Sequence, residues 1–197
     1  MQLLILGLAI FLGVHSVRIF AEGWRNARLA AMGELAWKGV YSVVSLIGLV
    51  LIVKGYGEAR LSPTLLWVSP TWAAHLAALL TLFSFVLLTA AYVPGNAIKL
   101  RLKHPMVLGV KVWALAHLLA NGTLADVVLF GSFLAWAILS FRSARRREVA
   151  PAAGPASPLA TALTVAIGLS AWAAFAMWGH AALIGVRPFA MTPAAGA

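Results

Sequence analysis

The segment that decides the fold of this chain is KHPMVLGVKVWALAHLLANG, residues 103–122. It is about as long as a membrane-crossing helix, and its apolar run contains three ionisable side chains, those of His104, Lys111 and His117. An ionisable group inside hydrocarbon is costly unless it is paired, faces a cavity or binds a ligand. We therefore expect the functional site of the chain near this segment.

The composition of the whole chain indicates an integral membrane protein. Of its 197 residues, 62% are hydrophobic and 10% are charged, whereas about a quarter of the residues in a soluble domain are charged. The net charge of +10 lies mostly in short loops, where basic residues set topology and meet anionic lipid head groups, so it does not indicate a nucleic-acid partner. Cysteine is absent, which excludes thiolate ligands and iron–sulfur clusters and makes histidine the expected ligand of any metal.

Six apolar segments predict an all-α, polytopic bundle of about six transmembrane helices, because each approaches the roughly 20 residues that cross the hydrocarbon core. The segments cover residues 3–20, 35–53, 72–93, 105–120, 124–141 and 159–184. Residues 1–150 are predicted to form a core with five helices, residues 151–158 a linker of proline, glycine and alanine, and residues 159–197 a C-terminal transmembrane helix and tail.

Basic residues alternate between the predicted loops. The odd loops contain Arg25 and Arg28, then Lys99, Arg101 and Lys103, and finally Arg142, Arg145, Arg146 and Arg147. The even loops contain few or none. Because cytoplasmic loops are enriched in lysine and arginine, this pattern predicts that both termini lie on the outer side.

Short motifs spread along the chain resemble those of the NnrU family of bacterial membrane proteins and, more distantly, zeta-carotene isomerase. They are His15-Ser16-Val17-Arg18, Gly33-Glu34, Leu65-Leu66-Trp67, Ala74-His75-Leu76, His104-Pro105-Met106 with His117, and Val186-Arg187-Pro188-Phe189. The family is associated with nitrite and nitric oxide reduction in denitrifying bacteria. The resemblance implies a bacterial inner-membrane location and a respiratory reductase as a candidate partner. In the inner membrane, the outer-side termini that the basic residues predict would be periplasmic.

The resemblance also implies a cofactor, because zeta-carotene isomerase is a haem b protein. Its iron ligands match His15 and His117, which would be the axial ligands here. On helix geometry alone, His75 lies at about the depth of His117 and is an alternative to His15. Further candidates for contacts with the haem are Arg18, Lys111 and His104, and candidates to line it are Trp113, Phe133 and Trp136.

Each candidate also has a plain structural interpretation. His104 precedes Pro105 and fits an interfacial residue at a helix start, since proline is favoured in the first turn. Lys111 can extend its ammonium group to the lipid head groups, Arg18 can mark topology or bind lipid phosphate, and His180 can lie at the outer interface.

The role that the resemblance implies stays open. One reading is a redox-linked or haem-dependent isomerase that acts on a hydrophobic polyene, and another is an accessory factor for nitrogen-oxide reductases. A third is a membrane methyltransferase, because Lys103 to Gly109 followed by Glu148 is similar to isoprenylcysteine and phospholipid methyltransferases; Lys103 replaces their arginine, and only Glu148 remains of an acidic pair. The carboxylates are scattered and form no evident acid/base pair, so whether the protein is an enzyme is undecided.

Overall fold

The computed structural model describes residues 1–147 and 154–188. Its helices are α1 (Gln2–Phe20), α2 (Glu22–Met32), α3 (Glu34–Ala59), α4 (Thr71–Tyr92), α5 (Ala97–Leu102), α6 (Pro105–Ala120), α7 (Leu124–Arg146) and α8 (Pro158–Ala174), followed by a π-helical turn (Phe175–Gly179) and α9 (His180–Ile184). These residues contain no strand, and an isolated bridge pairs Leu65 with Thr123. The predicted all-α class is confirmed.

Within residues 1–147 and 154–188, five helical segments are long and apolar enough to cross a membrane. They are α1, α3, α4, α7 and the continuous segment Pro158–Ile184. The remaining predicted span, residues 105–120, forms α6, which is apolar but has 16 residues. The polytopic helical bundle is therefore confirmed, with five candidate spans and one shorter apolar helix.

Helical structure extends beyond the predicted spans, for example at α2 and at the end of α7. The first loop is largely a helix, α2, which Ala21 separates from α1 and Gly33 separates from α3. Gly33 has a φ of 81°, a conformation that glycine adopts without steric cost. The α7 helix continues past its predicted end to Arg146, because arginine is a good helix former.

The helices form two compact units. The first contains α1, α2, α3, α7 and the short segment that leads into α7. In this unit α1 and α3 meet at glycines: a Cβ atom on Gly48 would lie 2.8 Å from the amide nitrogen of Phe11, and one on Gly7 would lie 2.6 Å from that of Ile52. Small residues let membrane helices approach closely. This contact sets the register of α1 on α3 and so the position of His15.

The second unit contains α4, α5, most of α6, α8 and α9. A Cβ atom on Gly168 of α8 would lie 2.7 Å from the Cα atom of Val86 of α4. The Trp172 indole nitrogen donates a hydrogen bond of 3.1 Å to the Thr81 hydroxyl. The C-terminal helix is therefore held on α4 by close backbone packing and a side-chain hydrogen bond.

Some predicted features lie outside the described residues. They include Glu148, residues 151–153 of the predicted linker, and residues 189–197 of the predicted tail. The methyltransferase reading depends on Glu148, so it stays a prediction. The predicted domain boundaries likewise stay a prediction.

Candidate functional site

His15 lies in α1 within the first unit and has aromatic neighbours from three helices. Its ring stacks on Phe11, with 4.2 Å between ring centroids and 26° between planes. Tyr41 of α3 lies at 5.1 Å and Trp136 of α7 lies edge-on at 6.0 Å. The imidazole is half-buried. The aromatic contacts therefore hold this ring between α1, α3 and α7.

One ring nitrogen of His15 is already engaged. Nδ1 donates a hydrogen bond of 2.7 Å to the carbonyl oxygen of Phe11. A carbonyl oxygen only accepts, so the proton of the neutral imidazole lies on Nδ1 and the lone pair lies on Nε2. Histidines that bind metals are commonly oriented by such a bond from the other nitrogen. His15 is thus arranged to bind a ligand or a metal through Nε2.

A groove with a volume of about 280 Å³ opens beside His15 between α1 and α3. Its lining residues are Phe11, His15, Tyr41, Ser42, Ser45, Leu46 and Leu49. Leu46 and Leu49 are exposed at its margin, and exposed leucines on a membrane-crossing helix face lipid. The groove is therefore open to molecules dissolved in the bilayer.

Two buried polar atoms near His15 have no hydrogen-bond partner within residues 1–147 and 154–188: Ser45 Oγ and Trp136 Nε1. An unsatisfied buried polar group costs about 1 to 3 kcal/mol. A helical serine often bonds the carbonyl oxygen four residues earlier, but Ser45 does not. Trp136 was among the residues predicted from the sequence, whereas Ser45 and Tyr41 were not. These two residues lie four positions apart on α3, and their proximity to His15 is evident only when α1 packs beside α3.

His117 lies in the last turn of α6 and belongs to the first unit. Its ring stacks on Phe130 of α7, with 4.6 Å between centroids and 27° between planes. Phe130 and the His15 neighbour Trp136 are six residues apart on α7, a rise of about 9 Å. The two histidines thus contact α7 at different levels. Shared ligation of one iron needs both rings at one depth, and it stays a prediction.

Asp126, at the start of α7, is a buried carboxylate that is fully engaged by its neighbours. Its Oδ1 atom accepts a hydrogen bond of 2.6 Å from the Tyr56 hydroxyl. Its Oδ2 atom accepts bonds from the Thr123 amide at 2.9 Å and the Thr123 hydroxyl at 2.6 Å. These bonds form a capping box and a link to α3. We assign Asp126 a structural role, because its oxygens are already occupied.

Comparison with models of protein families identifies the family of this chain. A family model described as "NnrU protein" matches residues 3–188. The chain belongs to the NnrU family. No match was found among curated proteins or among solved structures. The resemblance drawn from the motifs is confirmed, and the match includes His15, His117 and every described helix.

Arg18, the basic candidate nearest to His15 in the sequence of this NnrU family member, has its side chain at the surface. Arg18, one turn beyond His15, is exposed, and its Nε atom lies 3.5 Å from a carboxylate oxygen of Glu22. Its carbonyl oxygen accepts a bond of 3.3 Å from Arg147. Arg18 therefore joins the ends of α1 and α7 through its backbone, and its side chain reaches the surface.

Three further candidates belong to the second unit. They are His75, which is exposed, and His104 and Lys111, which are half-buried. His180, in the same unit, donates from Nδ1 to the carbonyl oxygen of Val186 at 2.7 Å, which supports its structural interpretation. Across the described part of this NnrU protein, no group of three or more His, Asp or Glu side chains could hold a metal ion. A metal bound at a single imidazole would have to bring other ligands with it.

Proposed function

We propose that this NnrU family member binds haem b in the membrane, with Nε2 of His15 as an iron ligand. His117 is the proposed second ligand, and its contact at a different level of α7 makes it the weaker of the two assignments. The observation that carries the proposal is the hydrogen bond from Nδ1 of His15 to Phe11, because it leaves Nε2 as the free donor atom. A porphyrin supplies ring nitrogens of its own, so the iron needs only axial ligands from the chain.

Three features beside His15 fit a porphyrin. Aromatic rings from α1, α3 and α7 surround the imidazole, and the polar atoms of Ser45 and Trp136 have hydrogen-bonding capacity to spare. The groove of about 280 Å³ is smaller than a haem but opens toward lipid, so that it would hold one edge of the porphyrin while the rest extends into the bilayer. Bound haem would supply redox-active iron. The chain would orient that iron through the fixed His15 ring and shield it from water with the aromatic walls.

The physiological role that we propose is the one that the resemblance to the family implies. We propose a redox-linked role associated with nitrite and nitric oxide reduction, or isomerisation of a hydrophobic polyene that enters the groove from the bilayer. The other candidate is an accessory factor for nitrogen-oxide reductases. An enzyme would convert a hydrophobic substrate in isolation, whereas an accessory factor would be inert alone and would copurify with a reductase.

An absorption spectrum tests haem binding. Protein made in haem-replete cells and purified in detergent should show a Soret band. His117→Ala should abolish the band and His15→Ala should change its spin state, while the control His180→Ala should leave it unchanged, because His180 is not among the residues that line the groove beside His15. A purified protein with no Soret band rules out the cofactor. An unchanged spectrum in His15→Ala with loss in His75→Ala favours the alternative ligand.

We also propose a bacterial inner-membrane location with both termini in the periplasm. The basic residues of the chain support it, because Arg25 and Arg28 lie in α2 and Arg142, Arg145 and Arg146 lie near the end of α7. Both regions are predicted to face the cytoplasm. The immediate partner in this arrangement is the lipid bilayer.

A further inference from the structure

We infer that Ser45 and Trp136 donate hydrogen bonds to a carboxylate of the ligand that binds beside His15, which for haem b is a propionate group. The inference rests on the proposed haem binding and extends it to residues that no family motif contains. It assigns a role to Ser45 Oγ and Trp136 Nε1, two buried polar atoms near His15 that have no hydrogen-bond partner in the described part of the chain.

The positions of the two groups relate both of them to His15. Ser45 lines the groove that contains His15, and the Trp136 ring lies edge-on to the imidazole at 6.0 Å. They come from different helices, α3 and α7, which pack on α1. Both donors therefore lie around the His15 imidazole, whose Nδ1 atom is bonded to Phe11.

The chemistry of the donors indicates an acceptor on the ligand. An indole N–H group only donates, and a serine hydroxyl can donate. Leaving both unpaired costs about 1 to 3 kcal/mol each, a penalty that an acceptor on the ligand would remove. A ligand without an oxygen or nitrogen acceptor, such as a pure hydrocarbon, would leave the penalty in place.

A carboxylate suits these donors better than a neutral acceptor. Its two oxygens accept several hydrogen bonds, and bonds to a charged acceptor are about twice as strong as neutral ones. Positive charge is also close along the chain: Arg18 follows His15 by one turn, and Arg147 is bonded to the Arg18 carbonyl oxygen. These guanidinium groups favour an anion near this end of α1.

The test compares two porphyrins that contain the same iron and ring. Haem-free protein in detergent is titrated with haem b and with haem b dimethyl ester, whose carboxylates are blocked. Trp136→Phe retains an aromatic ring and removes the donor, and Ser45→Ala removes the hydroxyl. The matched control is Trp67→Phe, because the Trp67 N–H already bonds the Ser69 hydroxyl at 3.2 Å.

We expect Trp136→Phe and Ser45→Ala each to weaken haem b binding about tenfold, the size of one hydrogen bond to a charged group. Binding of the ester should weaken about twofold or less. Trp67→Phe should change neither affinity. In the absence of porphyrin, Trp136→Phe should unfold at the same temperature as the unmodified protein or higher, because the substitution removes an unsatisfied donor.

Other outcomes overturn the inference in distinguishable ways. If Trp136→Phe weakens the binding of haem b and of its dimethyl ester equally, Trp136 acts through packing and not through a bond to a carboxylate. A large loss of stability in Trp136→Phe without porphyrin would mean the same. Unchanged affinities for both porphyrins in both variants mean that water satisfies the donors. If the unmodified protein binds neither porphyrin, the proposed function fails together with the inference. If it binds both and the variants do not discriminate, only the inference fails.

Discussion

The hydroxyl of Tyr56 in α3 donates a hydrogen bond of 2.6 Å to Oδ1 of Asp126 in α7, across 70 positions of sequence. The other carboxylate oxygen is held by the amide and hydroxyl of Thr123. The bond therefore joins the capped first turn of α7 to α3. It satisfies a carboxylate that would be costly to bury alone.

Loss of this bond should destabilise the fold. We expect Tyr56→Phe to lower the free energy of unfolding by about 1 to 3 kcal/mol, because Asp126 Oδ1 is left without its donor. Asp126→Ala should cost more, since it also removes the capping box. Unfolding of the detergent-solubilised protein by heat or by denaturing detergent measures both. The control is Tyr92→Phe, since Tyr92 is 75% exposed; equal losses in Tyr56→Phe and Tyr92→Phe would contradict the prediction.

Contact between α1 and α3 at Gly48 should tolerate no added methyl group. In Gly48→Ala the new Cβ atom would meet the Phe11 backbone at 2.8 Å, so the helices must separate, at a cost of about 1 to 3 kcal/mol. Because Phe11 holds Nδ1 of His15, any Soret band should shift as well. Gly39→Ala, in the same helix with no neighbour within 4 Å, is the matched control and should be neutral or stabilising.

Attachment of α8 to α4 can be tested at Gly168. A Cβ atom there would lie 2.7 Å from the Cα atom of Val86, so Gly168→Ala should lower both the free energy of unfolding and the unfolding temperature of the protein in detergent. We expect a cost of about 1 to 3 kcal/mol. Gly131→Ala, in α7 with open space at its Cβ position, should lack both effects. If Gly168→Ala is as stable as Gly131→Ala, the helices do not pack so closely in the membrane.

Orientation in the membrane can be measured cleanly because the chain has no cysteine. Asn26→Cys in α2 and Ser62→Cys between α3 and α4 each place one thiol at an exposed position. With periplasmic termini, an impermeant maleimide should label Ser62→Cys in cells with a permeable outer membrane. It should label Asn26→Cys only after the inner membrane is opened. The reverse pattern would invert the proposed topology.

The spans could be predicted from the sequence because length and hydropathy are local properties. The predicted segment 105–120 coincides with α6, and the start of α7 at Leu124 is also as predicted. The helix α2 was missed because it is too short and too polar to register as a span. Its break from α3 depends on the backbone of Gly33.

The candidate site could be predicted only in part. His15 and His117 were predicted because they lie in motifs that resemble those of the family, but their neighbours on α3 and α7 lie far away in sequence. Neither Ser45 nor Trp136 carries a local signal that its polar atom will be buried without a partner. That property depends on which residues of three helices meet.

The sequence by itself determined that this is a helical, cysteine-free membrane protein of the NnrU family. Composition, the length of apolar runs and short motifs are local properties of the sequence that do not depend on how the helices pack. Only the tertiary structure decided that Nδ1 of His15 bonds Phe11, that Ser45 and Trp136 are left as donors beside it, and that Tyr56 engages Asp126. These contacts follow from the register between helices. That register is set where Gly48 lets the backbones of α1 and α3 touch, and hydropathy does not encode it.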